Sequence, residues 1–132
     1  MYEYECEIVR VVDGDTIDTT VSLGFDTYIR GSSGRIRLYG VDTPETRSRD
    51  AEEKKYGLAA KAFVVNFFDN ADQVILKTWE KGKYGRYLGD FRVAGKWLTE
   101  ELINNYHAVP YIGKSKTLIK AAHMKNRYLV EL

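Results

Sequence analysis

The sequence is poor in cysteine and proline. Its 132 residues include one Cys and two Pro, and 44% of them are hydrophobic. A single Cys6 cannot form an internal disulfide or build a Cys-rich zinc site, so we expect it to face a core. The low proline content and the apolar fraction exclude a disordered or collagen-like chain. The length predicts one globular domain spanning residues 1–132.

Long apolar runs are also missing. The longest stretch without a charged residue, Leu102 to Gly113, contains Asn, His, Pro and Gly. It falls far short of the roughly 20 apolar residues of a membrane span, so we expect no membrane partner. The first residues, MYEYECE, are acidic and alternating, whereas a secretory signal needs a basic start and an apolar run. We therefore expect no export signal in this chain.

The net charge is only +1, which by itself would discourage a nucleic-acid partner. Its distribution is uneven. Residues 1–26 hold seven acids and one base, residues 27–105 eleven acids and fourteen bases, and residues 106–132 one acid and five bases. An acidic end beside a basic body is compatible with a metal-holding cluster next to a phosphate-binding surface.

Hydrophobic periodicity predicts a mixed domain. Residues 4–12 and 16–23 alternate around Asp13-Gly14, which is typical of a β-hairpin, and residues 35–41 form a third alternating run that stops before Pro44. We expect these three strands to form a meander. Further elements are expected as follows: a helix from about Asp50 to Phe68 with an apolar stripe of Leu58, Ala59, Ala62, Phe63 and Phe67; strands Gln73–Trp79 and Arg86–Val93; a helix marked by Leu98, Leu102, Ile103 and Tyr106; and a helix over residues 115–127 with Leu118, Ile119 and Ala122 buried and Lys116, Lys120 and Arg127 exposed.

This order of elements predicts an α+β, mainly β fold. One helix between the third and fourth strands fits a five-stranded OB-type β-barrel with three helices. Closing an antiparallel sheet into a barrel removes vulnerable edges, which favours this architecture in a small domain.

Three segments concentrate polar residues suited to chemistry: Asp13-Gly14-Asp15-Thr16, the run from Arg37 to Glu45, and Lys83-Tyr84-Gly85-Arg86. Each alone could be an ordinary turn or loop. A calcium EF-hand is excluded at the first segment, because Gly24 stands where the bidentate Glu must be.

Together the segments predict an oxygen-ligated metal site. Asp15 and Asp42 can supply carboxylates, and the carbonyl of Thr43 could join them. Calcium accepts such a set completed by water and phosphate, whereas zinc would want more His or Cys than His107 and His123 provide. Glu45 could orient or deprotonate a water. Arg37 and Arg86 offer forks for phosphate oxygens: they could stabilise charge in a phosphoryl transition state.

The joint pattern resembles the staphylococcal-nuclease-like, or thermonuclease, family. The motifs around Asp15, Arg37, Asp42-Thr43-Pro44-Glu45, Lys55-Tyr56-Gly57 and Tyr84-Gly85-Arg86 occur in the family's order, and the similarity runs from about Val9 to about Tyr128. The resemblance implies a five-stranded OB-type barrel with three helices. It also implies a calcium-dependent phosphodiesterase that cuts DNA and RNA and leaves 3′-phosphate ends.

The resemblance also assigns roles to residues. It implies that Glu45, Arg37 and Arg86 are catalytic. The other implied roles are calcium binding by Asp15, Asp42 and the Thr43 carbonyl, approach to a terminal phosphate by Lys83 and Tyr84, and packing beside the nucleotide by Tyr111.

Three features depart from the secreted staphylococcal enzymes. From Asp15 to Arg37 the chain spends 22 residues, so the excess around Leu23 to Gly34 must form an extended hairpin or loop, as in variants carried by phages. Gly82 replaces an acidic residue before Lys83, which puts one contact in the nucleotide pocket in doubt. Without a signal peptide secretion is not inherited, and we expect an intracellular or phage-encoded protein.

Two other functions compete with the enzyme. A catalytically silent OB-type module could bind nucleic acid or a protein, but such relatives tend to lose the carboxylates or arginines that this chain keeps. A plain single-strand binder would stack bases on aromatic side chains. Ten tyrosines make this conceivable, although strand spacing favours core or sheet-face positions for Tyr2, Tyr4 and Tyr39. We expect DNA and RNA as partners, single strands favoured, and a monomer.

Overall fold

The structure is a computed structural model that describes residues 2–81, 86–111 and 115–132. Its strands are β1 Tyr2–Asp13, β2 Thr16–Ser22, β3 Tyr28–Ile29, β4 Arg35–Leu38, β5 Val41–Asp42, β6 Val74–Lys81, β7 Tyr87–Val93, β8 Lys96–Trp97 and β9 Val109–Pro110. Its helices are α1 Ala51–Phe68, α2 Leu98–Asn104 and α3 Lys116–Asn126, with a short 3₁₀ turn at Gly31–Gly34. Among the described residues, none of these helices has the length and apolarity needed to cross a membrane.

Five strands close into a barrel. The pairing runs from β1 to β2, β4, β7 and β6 and returns to β1. Four of these pairs are antiparallel, while β4 and β7 are parallel, with Arg37 beside Leu88. Because every strand of the ring has two partners, the barrel leaves no open edge in it. The predicted five-stranded OB-type barrel with three helices is confirmed, but the sheet is mixed and not antiparallel throughout as expected.

The core fills the barrel and the space beneath its helices. Side chains alternate along the strands, and the largest fully buried ones include Ile17, Ile36, Leu38, Leu76 and Phe91. Cys6 is partly buried and packs against this core, as predicted. Burial raises the pKa of its thiol to about 12, so Cys6 stays protonated at neutral pH.

Helix α1 begins at an Asp50 cap, whose side chain accepts the Glu52 backbone N–H at 3.0 Å. Its buried residues are Gly57, Ala60 and Val64, with Phe63, Phe67 and Phe68 half-buried beside the core. The predicted apolar stripe was therefore wrong at Leu58 and Ala62, which are exposed. The helix instead approaches the barrel through its smallest residues, because Gly57 and Ala60 allow close packing.

The third predicted strand breaks in two. Strand β4 ends at Leu38, and Gly40 takes a φ of 74°, which favours glycine. The turn redirects the chain, so β5 leaves the barrel and pairs with β9. The break carries Asp42 away from the barrel wall.

Helix α3 corrects another expectation. It packs through Ile119, with Ala122, His123 and Asn126 half-buried on the same face. Leu118 lies off that face and is 60% exposed, so its predicted burial was wrong. Arg127 was predicted to be exposed but is half-buried, with its guanidinium carbon 5.2 Å from the centre of the Tyr56 ring.

The additional residues between β2 and β4 form an extended hairpin, as predicted. Val21 pairs with Ile29 and Ser22 with Tyr28. At its base, the Thr19 hydroxyl donates to the Gly34 carbonyl at 2.8 Å. These contacts hold the additional residues against β2.

Candidate functional site

Three strand ends bring the predicted polar residues together. Asp15 lies in the two-residue turn between β1 and β2, and Arg37 pairs with Thr16 across β2 and β4. The turn at Gly40 then brings Asp42 on β5 back toward the same point. Local turn chemistry and strand register thus bring the three residues together.

Arg37 lies at the centre of the cluster. Its Nη1 is 3.2 Å from Asp15 Oδ2 and its Nη2 is 3.3 Å from Asp42 Oδ1. Nη1 also donates to the Val41 carbonyl at 2.9 Å. The side chain is 17% exposed, so this guanidinium bridges two carboxylates in a partly desolvated place. Such charge pairs are stronger than fully exposed ones.

Asp15 is a buried carboxylate with defined partners. It accepts the Thr43 backbone N–H at 3.0 Å and the Thr16 hydroxyl at 3.1 Å. Burial raises the pKa of Asp15, while the Arg37 charge and the Thr43 N–H oppose that rise. The hydrogen bonds fix the orientation of the carboxylate.

The segment after Asp42 is held from two sides. Asp13 accepts hydrogen bonds from both the backbone N–H and the hydroxyl of Thr46. On the other side, a Cβ at Gly57 would lie 2.5 Å from the Glu45 carbonyl oxygen, so only glycine lets α1 approach this closely. The loop backbone is therefore fixed, while the Glu45 side chain is exposed on it.

The donor set can be tested against a divalent cation. Among the described residues, no group of three or more His, Cys, Asp and Glu side chains could hold a metal by itself. Asp15 and Asp42 nevertheless converge on one positive charge, and Thr43 Oγ1 is buried with no hydrogen-bond partner in the part of the chain that the structure describes. Hard oxygen donors of this kind fit calcium, with the remaining ligands coming from backbone carbonyls, water or phosphate.

Sequence reasoning missed one residue of the site. His123 Nε2 on α3 is 2.7 Å from Asp42 Oδ2. In the sequence His123 served only to argue that the chain has too few zinc ligands. It lies 81 positions from Asp42, so no local motif connects the two residues. Its spacing from Ile119 and Asn126 marks the packing face of a helix, and this was the available signal.

The remaining predicted residues have different placements. Arg86 is half-buried and directly precedes Tyr87, the first residue of β7, which pairs with Ile36 next to Arg37 on β4. Tyr111 is 44% exposed, and its backbone N–H donates to the Gly40 carbonyl at 2.7 Å. Lys83 and Tyr84 lie outside the described residues.

Comparison with known proteins gives a consistent result. A sequence model of the family described as "Staphylococcal nuclease homologue" matches residues 35–128. The chain is 30% identical to a thermonuclease of Staphylococcus hyicus over 86% of its own length and 60% of the relative. It is 37% identical to a thermonuclease of Staphylococcus intermedius over 74% of its length and 51% of the relative. It is also 32% identical to Endonuclease YhcR of Bacillus subtilis, over 83% of its length and 9% of that longer protein. The chain thus spans about half to three fifths of the thermonucleases that it matches.

Proposed function

We propose that this chain, which belongs to the staphylococcal nuclease homologue family, is a nuclease that hydrolyses phosphodiester bonds of DNA and RNA. We further propose that it depends on calcium and leaves 3′-phosphate ends. The proposal is supported by one observation above all: the Arg37 guanidinium lies between the Asp15 and Asp42 carboxylates. On this proposal, the carboxylate pair holds the cation and the guanidinium fork between them binds the phosphate.

The metal would be held by Asp15, Asp42 and the Thr43 carbonyl. When bound there, calcium would supply positive charge to a phosphate oxygen and lower the pKa of a water. The carboxylate of Asp15 is already oriented by Thr16 and Thr43, which reduces the reorganisation needed on binding.

The arginines would bind the phosphate. The planar fork of Arg37 matches two phosphate oxygens, and Arg86, directly before β7, offers a second fork. Both charges would stabilise the negative charge that develops as the phosphorus is attacked. Glu45 would orient or deprotonate the attacking water from the loop that Asp13 and Gly57 hold in place.

A digestion experiment tests the proposal. Single-stranded DNA, double-stranded DNA and RNA are each incubated with calcium, with magnesium or with a chelator, and the ends of the products are identified. We expect cleavage with calcium and little with magnesium, which demands stricter octahedral geometry. We also expect 3′-phosphate ends and faster cleavage of single strands.

A matched pair of variants assigns the activity to this site. Asp42→Asn removes a charge from the carboxylate pair and should require more calcium for the same rate. Asp18→Asn removes a carboxylate that pairs with Arg35 at 2.7 Å on a neighbouring strand, and it should keep the wild-type calcium dependence. Full activity after exhaustive chelation would refute the calcium proposal, and no cleavage of any substrate would refute the nuclease.

A further inference from the structure

The outer face of the barrel carries aromatic rings and cations in one row. Tyr39 stacks on Trp79 with ring centres 4.6 Å apart and an interplanar angle of 7°. Lys77 Nζ lies 5.4 Å from the Trp79 ring centre and 5.6 Å from that of Trp97, and the Arg92 guanidinium lies 5.2 Å from the Trp97 ring centre. We name the five residues Tyr39, Trp79, Lys77, Trp97 and Arg92 the aromatic track.

Strand alternation places this row outside the barrel. On β6, Val74 and Leu76 are buried in the core, so Lys77 and Trp79 at the odd positions project to the other side. Tyr39 is 38% exposed and both tryptophans are half-buried, so each of the three side chains keeps some contact with solvent.

The track begins beside the candidate site. Tyr39 follows Arg37 by two positions, in the turn that ends β4, so the Cα atoms of the two residues lie no more than roughly 7 Å apart. A polymer with a phosphate at Arg37 would meet the Tyr39 and Trp79 rings next. Lys77, Trp97 and Arg92 continue the same row along the barrel.

We propose that the aromatic track binds single-stranded nucleic acid next to the cleavage site, with bases stacking on its rings. This inference rests on the proposed nuclease function, because that function supplies a chain held at Arg37. Every base has a π-face, so aromatic side chains bind single strands without requiring a particular sequence. Lys77 and Arg92 give the row positive charge that can attract the phosphates. Arg92 also forms an ion pair with Glu3, with Nη2 3.0 Å from Oε1.

Cross-strand packing alone gives an incomplete account of the row. Stacked aromatic pairs do stabilise sheets, and the pair of Tyr39 and Trp79 would serve that purpose. The row also alternates rings with cations over three strands, and sheet packing does not require this. The cations make the surface complementary to a polyanion. Its position beside a phosphate-binding arginine favours nucleic acid over a protein as the occupant.

The two tryptophans of the chain both belong to the track, so intrinsic fluorescence reports on it directly. Binding is measured with a chelator present, which prevents cleavage, using a 12-residue oligothymidylate, a thymidine dinucleotide and an abasic 12-mer of equal charge. We expect the oligothymidylate to quench the fluorescence and to bind at least about fivefold more tightly than the abasic strand. The dinucleotide should bind more weakly still.

Two variants locate the effect. Tyr39→Leu keeps apolar cover over the sheet but removes a stacking ring, and it should lower affinity for oligothymidylate at least about threefold while leaving that for the abasic strand unchanged. Tyr128→Leu removes an 89% exposed ring outside the track and should change neither. A folded Tyr39→Leu protein with wild-type affinity would overturn the assignment.

Cleavage of the same substrates with calcium separates the two proposals. Cleavage without base-dependent binding or quenching would overturn the aromatic track and leave the nuclease standing. Quenching and base-dependent affinity without any cleavage would overturn the nuclease and support the track as a binding surface. Absence of both would refute both.

Discussion

At the scale of single residues, the charge balance of the candidate site depends on Arg37. Its guanidinium is the positive group shared by Asp15 and Asp42. We predict that Arg37→Ala lowers turnover roughly a hundredfold or more, because a donor to the transition state is lost. Arg37→Lys should recover little, since an ammonium cannot form the bidentate fork. Steady-state cleavage kinetics on folded protein measure both effects.

Arg35 provides the control for this prediction. It is two positions earlier on β4 and binds Asp18 through two hydrogen bonds of 2.7 and 3.1 Å. Arg35→Ala therefore removes an equal charge from the same strand without touching the carboxylate pair, and turnover should stay near that of the wild type. Equal losses in both variants would mean that Arg37 acts only through general surface charge.

The site could be predicted from sequence only in part. Asp15, Arg37 and Asp42 converge as expected, because short turns and strand register determine where each side chain lies. His123 could not be assigned in the same way, since its contact with Asp42 depends on how α3 packs after more than eighty residues of chain. The spacing of a motif predicts where nearby residues lie, whereas the contact between His123 and Asp42 can be seen only in the tertiary structure.

At the scale of secondary structure elements, α1 supports the site through a glycine. Alanine at a helix interior normally stabilises a protein by about 1 kcal/mol relative to glycine. At Gly57, however, a Cβ would lie within 2.5 to 2.8 Å of backbone atoms of Glu45 and Thr46. We predict that Gly57→Ala lowers both the melting temperature and the turnover, because the helix and the Glu45 loop must separate.

Calorimetry and cleavage rates measure the two effects of Gly57→Ala. The control is the opposite substitution at Ala62, which lies on the exposed side of the same helix. Ala62→Gly should cost only the intrinsic propensity and leave turnover unchanged. A Gly57→Ala protein more stable than the wild type would show that the close contact is absent in solution.

Helix α3 contributes to the site through His123. We predict that His123→Ala weakens calcium binding roughly tenfold or more, since hydrogen bonds to a ligand carboxylate orient it toward the metal. His123→Gln should retain part of the affinity because an amide can still donate. The shift of the melting temperature with calcium concentration measures this without relying on activity.

Asn126 separates this orienting role from simple docking of the helix. Its side chain donates to the Ala108 carbonyl at 3.2 Å and so holds the same helix through a different hydrogen bond. Asn126→Ala should lower stability but leave calcium affinity unchanged. A parallel loss of affinity in both variants would assign the effect to helix docking.

The positions of the helices and strands were predicted more reliably than which side of each helix is buried. The main strands and the three helices occur where periodicity and turn residues indicated them. The face of α1 was misassigned, because the sequence suggests Leu58 and Ala62 as apolar contacts while the structure uses Gly57 and Ala60. Close approach to a backbone favours small residues, and hydrophobicity does not reveal such a requirement.

At the scale of the whole molecule, the barrel is closed by β4 and β7, which run parallel and bring Arg37 next to Leu88. This pairing joins the first half of the chain to the second, and it could not be read from the sequence, because alternation does not specify partners. It also brings the start of β7, which directly follows Arg86, next to β4. The closure therefore decides which part of β7 lies beside Arg37, whereas Asp15, Arg37 and Asp42 are brought together by local turns and by the register of β2 and β4.

The stability of the whole domain should depend on pH through His107. Its ring is largely buried and packs against Phe63, with centres 4.8 Å apart. Burial lowers the pKa of His107 below its ordinary value of 6.5. The unfolded chain then binds more protons than the folded one between the two pKa values, so the free energy of unfolding decreases as the pH falls below about 6.5.

Thermal unfolding of the wild type and His107→Gln between about pH 7.5 and pH 5.5 tests this coupling. Gln keeps a polar side chain of similar size but cannot take up a proton. We expect the melting temperature of the wild type to fall more steeply across this range than that of the variant, because only the wild type must release a proton to fold. Because other titrating groups contribute equally to both proteins, the difference between the slopes isolates His107. Parallel slopes would mean that the imidazole is solvated in the folded protein and that its burial carries no penalty for protonation.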